Sequence, residues 1–264
     1  MTSSGGAAPG RGVELLAGPH AVCEALRAGR RTVYRLLLSR QERSPLVAEI
    51  LTAAEARRLR VETLLRAELD RLVRGGSHQG IVAEVGPYPY AEPAAVLTRV
   101  LTGRPPGWML VLDEIQDPQN LGAVVRTAEA AGAAGLLMPH DRAAAITPAA
   151  VRASAGAAEH LAIGRVGNLA AFLTEAKRRG VWVAGAAAEG ERQLFAADLT
   201  GPLALVIGGE GRGLRPLTRR RCDFLVRIPM LGRVGSLNAS AAAAVCIYEI
   251  VRQRLAAGQT DRSG

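Results

Sequence analysis

From Trp108 onward the sequence alternates strictly between short apolar runs and helix-like segments. Residues 109–112, 135–138, 181–184, 203–207 and 224–228 are the apolar runs, with 161–163 a shorter candidate. Residues 121–131, 148–158, 169–179, 216–221 and 239–255 carry helical spacing between and after them. A strand with no polar face is buried on both sides, so these strands form a mostly parallel sheet covered by helices on both faces. Ligands of such sheets bind outside the carboxyl ends of the strands, and the chemistry is sought in those loops.

The N-terminal part alternates on a smaller scale. An amphipathic run follows Gly18-Pro19-His20 and reaches Leu26. Strand patterns at 34–38, near Val61 and at 81–85 surround helix patterns at 45–59 and 66–73. The expected organisation is a flexible tail over 1–10, a small α/β domain over 11–85, a linker over 86–107, a large α/β domain over 108–258, and a tail over 259–264. The linker is assigned on Pro87, Pro89, Pro93, Pro105 and Pro106, which remove donors and favour extended backbone. Val96 to Leu101 is a possible short helix inside it.

No apolar stretch reaches the roughly 18 to 20 residues needed to cross a bilayer, and no membrane partner is expected. The first twelve residues lack a basic stretch followed by an apolar run, so no leader peptide is expected. Cys23, Cys222 and Cys246 are far apart, as are His20, His78, His140 and His160. A disulfide framework or bound metal is therefore not expected, and a cytoplasmic setting is. The net charge of +9 fits a polyanionic partner. Lys177 is the only lysine, so this Arg-rich charge also fits compositional bias. Aromatics at 3% do not support a base-stacking platform.

Three strand-end loops stand out. In the first, residues 113–126 (DEIQDPQNLGAVVR), Asn120 sits where a helix cap belongs. Arg126 falls off the stripe formed by Leu121, Val124, Val125 and Ala128. In the second, GGEGRG at 208–213, four glycines in six residues need unusual backbone angles or close approach to a ligand. Glu210 in its centre argues against a phosphate cradle, and neither G-x-G-x-x-G nor G-K-[ST] is present. In the third, IPMLGRVGSLN at 228–238, Ser236 or Asn238 is placed to cap the alanine-rich helix that follows. From the residues alone, the loops point to a nucleotide-like ligand and a basic chain's polyanionic partner.

Together, DPQNLGAVVRTAEAAG (117–132), LVIGGEGRGL (205–214) and IPMLGRVGSLNAS (228–240) resemble the three motifs of the SpoU branch of the SPOUT methyltransferases, the TrmH family. The resemblance spans about Trp108 to Leu255. It extends to the N-terminal part through GPHAV and SHQGIVAEV, a two-part pattern similar to bacterial enzymes that methylate a guanosine ribose in 23S rRNA. It implies an α/β domain with a trefoil knot, an L30e-like RNA-binding N-terminal domain, and a homodimer. It implies S-adenosyl-L-methionine as methyl donor, held by backbone at Gly208, Gly209, Gly213, Ile228 and Leu237. Arg126, Asn120, Glu210, Ser236 and Asn238 match the family's polar site positions. Three rivals stay open: a tRNA ribose methyltransferase of the family, a non-catalytic RNA-binding assembly factor, and a small-molecule α/β enzyme.

Overall fold

The computed structural model describes residues 12–40, 44–73, 77–103, 105–209, 211 and 213–259. The chain divides into two compact units, one of residues 1–89 with 146–160, the other of 90–145 with 161–264.

The first unit begins with β1 (Glu14–Ala17), α1 (Pro19–Ala28), β2 (Val33–Ser39) and α2 (Pro45–Ala56). It continues with β3 (Arg60–Leu64), α3 (Arg66–Val73) and β4 (Ile81–Val85). Its sheet runs β1-β4-β2-β3. β4 pairs antiparallel with both β1 and β2, and β2 pairs parallel with β3. Proline in the first turn starts α1 and α2, where a missing N–H costs nothing, and Ser44 caps α2.

The second unit begins with α4 (Pro93–Thr102), β5 (Trp108–Asp113), α5 (Pro118–Ala130) and β6 (Gly135–Pro139). The expected linker is thus only partly extended. Val96, Leu97 and Val100 of α4 are buried in the core with Met109, Val111, Leu137 and Leu173. The apolar spacing inside the proline-rich stretch decides its structure; the prolines only bound the helix.

After β6 the chain enters the first unit. α6 (Pro148–Ala153) and a 3₁₀ turn (Ala157–Glu159) replace the single helix expected over 148–158. Gly156, at φ +88, breaks it. A side chain there would also collide with Glu24, whose Cβ lies 2.6 Å from the position of an added Cβ. The Tyr88 hydroxyl donates to the Ala158 carbonyl at 2.6 Å, and Arg30 donates to the Glu159 carbonyl. Residues 146–160, expected in the large domain, therefore group with the small one.

The second unit resumes with β7 (Ile163–Val166), α7 (Leu169–Arg178), β8 (Trp182–Ala186) and the two-residue β9 (Arg192–Gln193). β10 (Leu203–Gly208), α8 (Pro216–Arg221), β11 (Phe224–Arg227) and α9 (Ala239–Ala256) complete it. Its seven strands run β7-β6-β5-β10-β8-β11-β9, every neighbouring pair parallel. All six residues of β5 and all six of β10 are buried, as expected for a sheet covered on both faces. Met109, Val111, Ala204 and Val206 share a cluster with α4 and α7. The alternate residues Leu110, Leu112, Leu205 and Ile207 point the other way and are buried too. α5 and α9 pack on one another. The buried Arg254 pins the end of α9 by donating to the carbonyls of Pro106 and Gly201, each at 2.6 Å. Among the described residues, no helix is long and apolar enough to cross a membrane.

Candidate active site

β8, β10 and β11 deliver the chain to one end of the sheet, and a cavity of about 540 Å³ opens there. Four segments line it: Ala186–Glu189, Ile207–Gly209 with Gly211, Gly213 and Leu214, the alternate residues Val226, Ile228 and Met230, and Gly235–Ala239. Its volume falls within the roughly 300–1,000 Å³ of small-molecule sites. The lining is mostly small and apolar side chains with backbone between them. Such a wall holds a flat heterocycle through backbone hydrogen bonds and van der Waals contact.

The glycines create this shape. A Cβ on Gly208 would lie 2.2 Å from the Gly213 carbonyl carbon, and one on Gly209 2.6 Å from the Glu114 carbonyl oxygen. Gly211 and Gly213 sit at φ +75 and +62, where side chains are strained. The Gly213 N–H donates to the Gly209 carbonyl at 3.1 Å and closes the loop.

Two asparagines join the polar side of the cavity to α5. The Asn238 Oδ1 accepts from the backbone N–H of Ser240 at 2.9 Å and of Ala241 at 3.4 Å, capping α9. Its Nδ2 donates to Asn120 Oδ1 at 3.1 Å. Asn120 is not the cap of α5, as its position in the sequence suggested. Asp117 is: its carboxylate accepts from the Asn120 backbone N–H at 3.0 Å. Pro118 occupies the first turn, so the cap lies before it, and Asn120 keeps its side chain for Asn238. Of Ser236 and Asn238, both considered as caps for α9, Asn238 fills the role.

Gly208, Gly209, Gly213, Ile228, Ser236, Leu237 and Asn238 all line the one cavity. Asn120 reaches it through Asn238. Arg126 is exposed on α5, does not line the cavity, and makes no ion pair with a described residue. Glu210 lies outside the described residues. The sequence reading missed the segment Ala186–Glu189, which carries no polar motif beyond Glu189 itself. Acids close the apolar strand in the sequence, but nothing there gives a role to Asp113, which is fully buried at the end of β5. Burial pushes the Cys222 and Cys246 thiols up to about 12, so neither supplies a thiolate nucleophile near neutral pH.

Residues 107–248 match the model of the SpoU rRNA Methylase family. The chain belongs to the SpoU rRNA methylase family. Its residues 15–91 match a second model, RNA 2′-O ribose methyltransferase substrate binding, which accompanies the SpoU domain here. A relative from Pseudomonas putida, 23S rRNA (guanosine-2′-O-)-methyltransferase RlmB, is 42% identical over 242 residues, covering 92% of this chain and 97% of its own. YacO of Bacillus subtilis, a putative TrmH family tRNA/rRNA methyltransferase, is 39% identical over 93% of this chain and 98% of its own. Among solved structures, the SpoU methyltransferase AviRb from Streptomyces viridochromogenes, in complex with AdoMet, superposes with a TM-score of 0.77 at 31% identity. That match covers 93% of this chain and 92% of AviRb. Both units of this SpoU protein are covered by the relatives.

Proposed function

We propose that this protein transfers a methyl group from S-adenosyl-L-methionine to the ribose 2′-hydroxyl of a guanosine in 23S rRNA. The observation that carries the reading is the convergence of the second and third loops on one cavity, with Asn238 linking it to the first. Likeness over more than nine-tenths of the chain to an enzyme named for that reaction supports the substrate. Likeness to a structure in complex with AdoMet supports the donor. The cavity fits the donor on its own terms: its volume and its glycine and alanine walls suit a nucleoside held by backbone.

When bound, S-adenosylmethionine supplies an activated methyl group on a sulfonium sulfur. The chain's part is alignment and charge. Backbone at Gly208, Gly209, Gly213, Ile228 and Leu237 holds the donor. Asn120 and Glu210 fix the geometry of the site, and Ser236 and Asn238 hold the third loop and the incoming nucleotide. A ribose hydroxyl is a poor nucleophile at neutral pH. An arginine stays protonated there, so Arg126 acts by orienting the 2′-oxygen or its neighbouring phosphate and stabilising negative charge as it develops. Orientation of this kind supplies much of the rate in such transfers.

The proposal includes RNA binding by the first unit, a cytoplasmic setting, a trefoil knot at the cavity and a homodimer. Exposed Leu231, Val234 and Tyr248 support the dimer. Ribose-methylation mapping of total rRNA and tRNA, with and without the gene, tests the reading. One 2′-O-methyl lost from 23S rRNA is expected. A mark lost from tRNA instead would make the protein a tRNA ribose methyltransferase of the family, and no lost mark would leave an RNA-binding scaffold.

A further inference from the structure

The glycine loop begins and ends on a single residue. Gly208, the last residue of β10, stands in register beside Asp113, the last residue of β5. Seven positions later the chain returns to that residue. The Arg215 backbone N–H donates to Asp113 Oδ2 at 2.9 Å, and the Arg215 Nε donates to Oδ1 at 2.5 Å. Asp113 is 0% exposed, so this carboxylate has given up its water for Arg215. Glu114 stands by, with its carboxylate 3.8 Å from the Arg215 guanidinium and its carbonyl against Gly209.

A loop that leaves beside Asp113 and returns to its carboxylate has a definite purpose in physical terms. Residues 208–214 contain four glycines, and glycine loses more backbone freedom on ordering than any other residue. If the loop were ordered only on binding, the cofactor's affinity would be reduced by that cost. We propose that Asp113 and Arg215 are a positioning pair that holds the part of the cavity wall formed by Gly208, Gly209, Gly211, Gly213 and Leu214 in its binding shape and thereby sets affinity for S-adenosylmethionine. Neither residue lines the cavity, so the pair acts through the loop and not by contact. The inference rests on the cofactor reading above.

The test is calorimetric titration of the full-length protein with S-adenosylmethionine, alongside hydrogen exchange of the unligated protein. The variants are Arg215→Gln, Arg215→Lys, Asp113→Asn and the Asp113→Asn/Arg215→Gln double. Arg215 is part-exposed, so Arg215→Gln is the variant that keeps the fold if Asp113→Asn does not. It should raise the Kd about tenfold, as a drop to roughly one-tenth in the binding-competent fraction requires. Arg215→Lys should recover part of the loss. The double variant should bind no worse than its weaker parent, because both single changes remove the same interaction. Peptides covering 208–214 should exchange faster in Arg215→Gln, with β5 and β10 as protected as in wild type. Kinetically the effect should fall on KM for the donor, leaving kcat at saturation within about twofold. Wild-type Kd in Arg215→Gln, or additive losses in the double, would overturn the proposal. A wild-type protein that binds no S-adenosylmethionine would overturn the cofactor reading and the affinity claim together. The exchange arm needs no ligand, and would still decide whether the pair holds the loop.

Discussion

At the scale of single residues, the site divides between groups that build the cavity and one that stands outside it. Asn238 lines the wall, caps α9 and bonds Asn120, so its replacement would disturb binding, helix and loop at once. Arg126 is different. It is exposed, keeps no described partner, and is free to meet an RNA phosphate or hydroxyl. Arg126→Ala should therefore fold as wild type and bind S-adenosylmethionine with unchanged Kd. Its kcat should fall about 100-fold or more, the usual scale for losing one group that stabilises developing charge. Single-turnover methylation of an rRNA fragment at saturating donor reads this directly. Full activity in a protein that binds the donor would remove Arg126 from the mechanism.

At the scale of elements, burial was the legible part and partnership the illegible part. β5 and β10 read as buried strands because neither has a polar face, and both are buried at every position. The three loops read as a site because glycines and amides cluster at strand ends. The sequence places Asn120 at the α5 cap, and only the geometry separates Asp117, whose side chain caps, from Asn120, whose side chain reaches across to Asn238. The segment 146–160 reads as part of the large domain because its helix spacing continues the strand–helix alternation that starts at Trp108. What binds it into the first unit is spread over distant positions: Tyr88 on Ala158, His160 on Glu24 at 2.7 Å, and Arg31 facing Glu159 in a buried pair. No local pattern encodes those contacts. Tyr88→Phe should test how much the seam contributes. Burial holds the Tyr88 phenol far above its ordinary pKa, so it remains a donor. Removing it leaves a buried carbonyl one bond short, at a cost of about 1–3 kcal/mol. Chemical denaturation should show that loss, with activity at low temperature preserved. An unchanged midpoint would mean that the hydroxyl contributes nothing there.

At the scale of the whole molecule, the third loop stands out by its exposure. Residues 231–238 are all exposed, and they include Leu231 at 99% and Val234 at 71%. Tyr248 and Leu255 are also more than half exposed, on the helix that this loop leads into. Apolar side chains scattered singly on a surface need no explanation, but Leu231 and Val234 lie between Met230 and Gly235, both of which line the cavity. A second copy of the chain covering that stretch would bury it and brace the third loop from outside. An isologous contact, the same patch on both subunits, is the simplest way to do so. Light scattering on the eluting protein should then give twice the 27.6 kDa chain mass. Leu231→Asp with Val234→Asp should shift it to the single-chain mass and weaken S-adenosylmethionine binding in the same preparation, because both changes remove the brace from the loop that carries Ser236 and Leu237. A wild-type protein of single-chain mass at every concentration would defeat the dimer. A monomeric variant that binds the donor as tightly as wild type would keep the dimer but separate it from the site.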